Sequence, residues 1–414
     1  MIIKSPTLDL VVAKLVIFIS FFYPINGLIP NLIVIKFALF FLWIFVLSIK
    51  NPAYLSEIKV QIQRHLYPVI LLLIILLVII LNILIRPSGT RVDILIFLGF
   101  MAIIPISSIV IFYRNTDSGR SLLSLGIIVI GAAISFSIPY IVEYPGSIRW
   151  ANSSDSSTHM TPYFIGSWLQ LMAVGIILPF ILGQLFLCKG WQRIQMIVIV
   201  ILVVYALIMS TLASTQIITL FTFIMIFPYF IHSIKKRNTV KLIGVLLLVI
   251  IILNFFINQN PLQSETFLIT SGKSKSLITQ ISQSGLKGDF TGRGGYLLAR
   301  TIEQIKDRPI LGASIGSKSS MNSGGHLHWL DFFAWFGLIG GVPLLLLFVH
   351  IGRKLWNTFL ADKNIFTYSV LMTYFVFIVA GIIGGIFFDY LMGVTFFFIV
   401  QTHKELNYVS SESE

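Results

Sequence analysis

Residues 67–85 read YPVILLLIILLVIILNILI and contain no charged side chain. About 20 consecutive apolar residues are enough for an α-helix to cross the hydrocarbon core of a bilayer. The stretch therefore predicts a membrane-spanning helix.

Similar stretches lie on both sides of it. The chain is 57% apolar and 11% charged with a mean hydropathy of +0.93, which leaves too little polar surface to coat a soluble globule of 414 residues. The predicted fold class is all-α, a polytopic membrane helix bundle of about 12 transmembrane helices. The spans are expected near 10–25, 29–48, 67–85, 93–112, 121–142, 163–187, 194–211, 216–233, 240–257, 329–350, 365–383 and 387–402.

The basic residues indicate the side of the membrane on which each loop lies, because cytoplasmic loops carry an excess of Lys and Arg. With the N-terminus in the cytoplasm, sixteen of the 29 basic residues fall inside, and the short outer loops hold three, Arg86, Arg91 and Arg149. The net charge of +13 is therefore interpreted as topology and not as nucleic-acid binding. Both termini are predicted to be cytoplasmic.

The same topology divides the chain into four parts. Residues 1–257 are expected to form an N-terminal transmembrane bundle of about nine helices, and 258–328 a large extracytoplasmic loop. Residues 329–403 are expected to form the C-terminal transmembrane helices, followed by a cytoplasmic tail, 404–414.

The long outer loop contains a predicted helix over 294–308, which Pro309 ends. Its charged residues take one side, and its apolar residues recur at helical spacing on the other: Leu298, Ile302 and Ile305. The helix is therefore amphipathic and is expected to lie along the membrane surface. A segment rich in glycine and serine then leads back to the bilayer at His326.

The sequence disfavours several kinds of chemistry. No complete phosphate-binding loop of the GxxxxGK(S/T) type occurs, so ATP-driven work is not expected. The single cysteine, Cys188, cannot form a disulfide framework or a cysteine metal site within one chain. The outer loops carry no tight cluster of carboxylates or histidines that would bind a metal ion.

Two polar features stand out in the long loop. Arg293 lies between glycines, so its planar side chain and nearby backbone N–H groups can approach a phosphate closely. The alternative is an exposed arginine that binds lipid headgroups. His326 and His328 stand where the chain returns to the bilayer, and either can act as a general base near neutral pH. The alternative for each is an interfacial anchor beside Trp329.

These features follow one another in a distinctive order. Gly292-Arg293 precedes the amphipathic helix, which is followed by residues 307–312, DRPILG, then by a glycine-rich loop with His326, and then by residues 331–340, DFFAWFGLIG. This order resembles the C-terminal signature region of the bacterial O-antigen polymerase and O-antigen ligase superfamily. Members of that family carry an arginine near the start of a large periplasmic loop and a histidine eleven residues before a G-L-I-G turn, the separation of His326 and Gly337 here.

The resemblance implies a membrane glycosyltransferase whose donor sugar is already activated on a polyprenyl-pyrophosphate carrier. It implies that Arg293 stabilises negative charge on the departing pyrophosphate and that His326 removes a proton from the acceptor hydroxyl. It also implies that no metal or other cofactor takes part. The expected location is the bacterial inner (cytoplasmic) membrane, with the active site on the periplasmic side. Besides the polyprenyl-pyrophosphate-linked oligosaccharide, the expected partners are membrane lipids and chain-length regulator and flippase proteins, and not nucleic acid.

The sequence departs from the family pattern in two places. Many members follow the histidine with Asn or Ser, whereas this chain has Leu327, so His328 is expected to supply the second polar group that contacts substrate. Ligases also carry a Ser-Arg pair in an outer turn that here reads 212–216, LASTQ. Gln216 can donate a weaker, uncharged hydrogen bond to a phosphate. Its alternative is a capping or packing glutamine.

Other arginines are candidates to replace the missing one. Arg149 is proposed as a substrate-binding residue, with Arg86 and Arg91 as further candidates in the short outer loops. Arg300, on the polar face of the amphipathic helix, is also expected to bind substrate.

Two ionisable residues near the outer helix ends have open roles. Asp331 follows His328 by three residues, so on one helix its carboxylate can orient the imidazole. Simple interfacial placement is the alternative. Lys36 lies roughly 10 Å from the outer end of its span, and it is expected to snorkel to the outer surface or to line a polar cavity.

Three functions stay open at this stage. A polymerase of lipid-linked oligosaccharide repeat units, for O-antigen, capsule or exopolysaccharide, is favoured by the missing Ser-Arg pair and by the aromatic sequence around His326. An O-antigen ligase would use the same donor but transfer the glycan to a lipid A core. A polysaccharide transporter or flippase is disfavoured, because the connection between the sixth and seventh spans is short and the membrane midplane is almost free of charge.

Overall fold

A computed structural model describes residues 7–27, 29, 32–50, 59–60, 63, 65–85, 91–113, 116–143, 168–209, 213–233, 301–312 and 328–401. Residues 301–307 are helical, and no strand occurs in these ranges. A short 3-10 helix, Tyr23–Gly27, follows the first α-helix. The α-helices with defined bounds are α1 (Leu8–Phe21), α2 (Leu32–Lys50), α3 (Leu66–Ile85), α4 (Arg91–Tyr113), α5 (Asp117–Glu143), α6 (Trp168–Leu187), α7 (Gly190–Met209), α8 (Ala213–Ser233), α9 (His328–Asp362), α10 (Ile365–Ile383) and α11 (Asp389–Ile399).

Each of these helices lies where hydropathy predicts a span. Eight of them, α2 to α7 with α9 and α10, are long and apolar enough to cross a membrane. The described part of the chain is therefore all-helical, with the architecture of a multi-pass membrane protein. The remaining predicted span, 240–257, lies outside the described residues, as do most of the long outer loop and the tail 404–414.

The centre of the bundle is formed by α6 and α11. Residues 170–185 of α6 and 390–399 of α11 are all buried. The helix α6 packs against α7, α8, α10 and α11, and α11 packs against α4 as well. Small residues allow close approach, because a Cβ at Gly183 would overlap the Ser369 side chain of α10. Peripheral helices instead expose apolar side chains such as Leu73 and Leu77, as expected for a surface in contact with lipid.

A buried polar cluster joins α1, α2 and α4 at the end of the bundle that is predicted to face the cytoplasm. Asp9 accepts hydrogen bonds from Lys50 Nζ at 2.9 Å and from the Tyr113 hydroxyl at 2.7 Å. Trp43 Nε1 donates to the Tyr113 hydroxyl at 3.3 Å. The carboxylate therefore has both a counter-charge and hydrogen-bond donors, which is the condition for burying it at low cost.

The helical structure is interrupted at two places toward the opposite, outer end of the bundle. The 35-residue α9 would be about 52 Å long if it were straight, well beyond the thickness of a bilayer core, but it breaks at Gly337, where φ is 61° and ψ is −163°. Between α10 and α11, residues 384–388 form a non-helical segment inside the bundle, and Ile386 and Phe387 have no exposed surface. These two interruptions position the candidate site.

Candidate functional site

The break in α9 is occupied by the segment Pro309–Gly312 of the outer loop. The N–H of Leu338 donates to the Pro309 carbonyl at 2.8 Å, and the N–H of Ile339 donates to the Ile310 carbonyl at 3.2 Å. The first N–H groups of a helix have no partner within that helix. The segment therefore caps the second half of α9.

Two glycines make this close approach possible. Gly312 and Gly337 have φ values of 74° and 61°, in the left-handed region that favours glycine. A Cβ at Gly337 would overlap the Ile310 carbonyl and lie 2.6 Å from Gly312 N. A Cβ at Gly312 would overlap the Trp335 carbonyl and lie 2.6 Å from Gly337 N. Each backbone thus occupies the space that a side chain on the other would need.

The helical residues 301–307 before this segment also contact α9. Thr301 is 1% exposed, and its hydroxyl donates to Asp331 Oδ1 at 3.2 Å. Ile302, from the predicted apolar stripe, is 40% exposed. The docked face is therefore set by Thr301.

His328 begins α9 and is held by the segment between α10 and α11. Its Nδ1 accepts the N–H of Ile386 at 2.9 Å and that of Phe387 at 3.4 Å. Because a backbone N–H can only donate, Nδ1 must be the unprotonated nitrogen, and the ring proton lies on Nε2. Nδ1 is then not available to the Asp331 carboxylate, and the role of Asp331 in orienting this ring stays a prediction.

The His328 ring is also enclosed by aromatic side chains. It stacks on Phe387 with 5.5 Å between ring centroids, and it contacts Phe388 and Trp335 at 5.5 Å and 5.8 Å. Only 3% of the residue is exposed. Such an imidazole is well placed to fix the backbone where α9 begins.

The non-helical segment itself is held against α4. A Cβ at Gly99 would overlap the Phe387 carbonyl, and the Phe387 ring stacks on Phe100 at 5.4 Å. A Cβ at Gly385 would come within 3.0 Å of the His328 ring. Neither position can carry a larger side chain unless its neighbours shift, so the glycines allow the segment to reach the imidazole.

An ion pair lies immediately after this segment. Lys36 Nζ of α2 is 3.4 Å from Asp389 Oδ2 at the start of α11. The Lys36 side chain is 5% exposed and the Asp389 side chain 31%. The expectation that Lys36 snorkels to the outer surface is therefore wrong, because the lysine is buried and paired. Asp389 also follows Phe388, which places the pair next to the residues around His328.

Three of the predicted site residues lie in the described part of the chain. His328 and Asp331 share the first turn of α9, and Gln216 is half-buried in the first turn of α8, toward the same end of the bundle. His326, Arg293, Arg149 and Arg300 lie outside the described residues, so their predicted roles stay predictions. Within the described ranges, no group of three His, Cys, Asp or Glu side chains is placed to hold a metal ion.

Some residues of this region were not predicted from the sequence. The hydropathy pattern does not distinguish Thr301, and it places residues 387 and 388 of the segment 384–388 in a span. The paired glycines Gly384 and Gly385, followed closely by Asp389, were a usable signal, because glycine pairs and a charge rarely continue a membrane helix. The pairing of Lys36 with Asp389 had no local signal at all.

No family model matches the chain, and no curated protein matches it.

Proposed function

We propose that the chain is a membrane glycosyltransferase that polymerises oligosaccharide repeat units carried on polyprenyl pyrophosphate. The observation that carries the proposal is the contact between Pro309–Gly312 and the Gly337 break of α9. These are two of the motifs on which the resemblance to the O-antigen polymerase and ligase superfamily rests, and 24 residues lie between Gly312 and Gly337.

The contact supports the proposal because it explains why both motifs contain a glycine at the position where the two segments meet. Each motif supplies one glycine with positive φ, and the carbonyls of Pro309 and Ile310 satisfy N–H groups next to Gly337. The 313–327 segment that includes His326 is bounded on both sides by anchored residues, Gly312 and His328. A loop closed at both ends in this way is suited to hold catalytic groups over a rigid scaffold.

The chemistry follows from the residue types. His326 takes the proton of an acceptor sugar hydroxyl, whose oxygen then forms a bond to the anomeric carbon of the donor. The bond between that carbon and the pyrophosphate oxygen breaks, and polyprenyl pyrophosphate leaves with the bonding electrons. Arg293 binds the leaving pyrophosphate with a planar, two-pronged contact and stabilises its charge. Arg149, Arg300 and Gln216 are proposed as further contacts to substrate.

His328 and Asp331 are proposed to position the site. His328 ties the start of α9 to the segment between α10 and α11, and Asp331 ties the same turn to Thr301. Only Leu327 separates His328 from His326, and two residues span at most about 7 Å. Anchoring His328 therefore limits the range over which the proposed base can move.

Ligase activity is the second candidate, because it would use the same donor and the same two residues. It differs in the acceptor, which would be a lipid A core in place of another lipid-linked glycan. Residues 212–216 read LASTQ, with 213–216 in the first turn of α8, and lack the arginine expected of ligases, which favours the polymerase.

The test is a reconstituted assay with the purified full chain in proteoliposomes. We expect longer glycans to form from a polyprenyl-pyrophosphate-linked repeat unit when no nucleotide sugar, ATP or metal is added. Transfer only when a lipid A core acceptor is supplied would identify a ligase. Movement of the intact lipid-linked glycan across the bilayer without any new glycosidic bond would identify a transporter and contradict the proposal.

A further inference from the structure

A cavity lies at the end of the bundle opposite the candidate site. Its volume is about 190 Å³, and it lies between α3, α4, α9 and α11, partly open to its surroundings. Its walls are formed by His65, Pro68, Val69, Leu72, Ile103, Ser107, Ile111, Leu347, His350, Ile351, Lys354, Leu355, Phe396, Ile399 and Val400. None of the residues from the candidate site takes part.

The polarity of the cavity changes along the helix axes. His65 lies immediately before α3 and Lys354 two turns before the end of α9, so both line the part of the cavity nearest this end of the bundle, which we call its mouth. Leu72 and Leu347 lie about 10 Å deeper, at 1.5 Å per residue. Apart from Ser107, the inner wall is apolar. The cavity is thus basic at its mouth and apolar inside.

Three basic side chains lie close together on α9 near the mouth of the cavity. His350 lies one turn from Lys354 on α9 and close enough to Lys354 and Arg353 for their positive charges to act on its ring. The described residues of the cavity wall include no acidic side chain. Lys354 carries the positive charge of this wall, and each of the two histidines can donate a ring N–H hydrogen bond to an anion.

Ser107 provides a polar group part of the way down the cavity. It lies on α4 six residues before Tyr113, about 9 Å from the C-terminal end of that helix. Its buried Oγ has no hydrogen-bond partner among the described residues. A buried hydroxyl without a partner is costly, and an acceptor inside the cavity would remove that cost.

We propose that this cavity binds an anionic phospholipid of the cytoplasmic leaflet. The phosphate contacts Lys354, His350 and His65, an ester carbonyl accepts a hydrogen bond from Ser107, and an acyl chain lies along the apolar inner wall. Charge, hydrogen-bond donor and apolar surface follow one another in the order that a phospholipid presents them. The lipid would join α3, α4, α9 and α11 and stabilise the bundle.

The experiment uses the purified full chain in neutral detergent, with bound lipid measured by native mass spectrometry. Phosphatidylglycerol and phosphatidylcholine are the two probes, because they share acyl chains and differ in net charge. We expect phosphatidylglycerol to bind more tightly. Lys354→Gln should weaken it about fivefold, the effect of one cation near an anionic lipid.

Two further variants distinguish lipid binding in the cavity from lipid binding to positively charged surface in general. Leu72→Trp fills the apolar part of the cavity without changing charge, and it should also reduce bound phosphatidylglycerol. Lys189→Gln removes an exposed cation at the same end of the bundle but outside the cavity, and it should have no effect. Equal binding of the two lipids, or an equal loss with Lys189→Gln, would overturn the proposal. Preferential binding of a polyprenyl phosphate over phosphatidylglycerol would overturn the assignment to a phospholipid.

Discussion

His328 illustrates how one residue holds together parts of the chain that are far apart in sequence. Its Nδ1 accepts backbone N–H groups from residues 386 and 387, and its ring lies among three aromatic side chains. A group that serves as acceptor for these N–H donors cannot also be the free base of the reaction at that nitrogen. The geometry therefore favours a positioning role for His328, and His326 stays the proposed base.

Replacing His328 by Asn and by Ala should give different results. The Asn side chain can place its Oδ1 near the position of Nδ1 and still accept the Ile386 N–H, whereas Ala leaves that buried N–H without a partner, at a cost of about 1–3 kcal/mol. We expect His328→Ala to lower the melting temperature and glycan synthesis clearly more than His328→Asn does. Thermal unfolding in detergent and the reconstituted assay measure the two effects. Equal and severe loss of activity in both variants, with unchanged stability, would show that Nε2 itself takes part in the reaction.

Replacing Lys36 and replacing Asp389 should destabilise the protein to different extents. Asp389→Ala leaves a buried ammonium group without a counter-charge, which costs about 3–5 kcal/mol. Lys36→Met puts an apolar side chain of similar length in its place, and the remaining carboxylate is 31% exposed, so water can reach it. We therefore expect Asp389→Ala to be the more destabilising change in thermal or denaturant unfolding. The reverse order would mean that the pair is not formed as described.

At the scale of elements, the docking of Pro309–Gly312 onto the break of α9 is the feature that most shapes the outer end of the bundle. Gly337→Ala introduces a Cβ where the Ile310 carbonyl lies, in a backbone conformation that is almost restricted to glycine. Gly190→Ala is the matched control, since Gly190 also has positive φ, 55°, but a Cβ there would meet nothing within 4 Å.

Gly190→Ala should therefore cost only the strain of the left-handed conformation, about 1 kcal/mol. Gly337→Ala should cost several times more and should increase protease cleavage of the outer loop, because the docked segment must separate from α9. Limited proteolysis and thermal unfolding of the two variants provide the comparison. Similar behaviour of the two would indicate that the two segments are not in contact.

The sequence was sufficient to predict where most helices lie but not how they are interrupted. Hydropathy locates spans because the thickness of the bilayer constrains each one independently. Phe336-Gly337-Leu338 lies within an apolar stretch, and its break depends on carbonyl groups supplied by residues 309 and 310. Lys36 and Asp389 are 353 residues apart, so their pairing depends on the packing of α2 against the rest of the bundle. Local patterns carry no information about such contacts.

For the whole molecule, the distribution of basic residues predicts which end of the bundle faces the cytoplasm. Both termini and the loop 234–240 are expected inside, and 258–328 outside, because this arrangement puts sixteen basic residues inside and three in the short outer loops. Reporter fusions at residues 236 and 280 should therefore report opposite sides. A cytoplasmic signal from the fusion at 280 would reverse the topology and remove the basis for an outer active site.

The most direct test of the account is glycan synthesis by the His326→Ala variant. Purified wild-type protein, His326→Ala and the control Lys189→Ala, an exposed residue at the opposite end of the bundle, are compared in proteoliposomes with a polyprenyl-pyrophosphate-linked repeat unit. We expect His326→Ala to lose about 10² to 10⁴ in rate, the usual contribution of a general base, while its melting temperature stays unchanged and Lys189→Ala stays active. Polymer formation at the wild-type rate by stably folded His326→Ala protein would contradict the proposed mechanism.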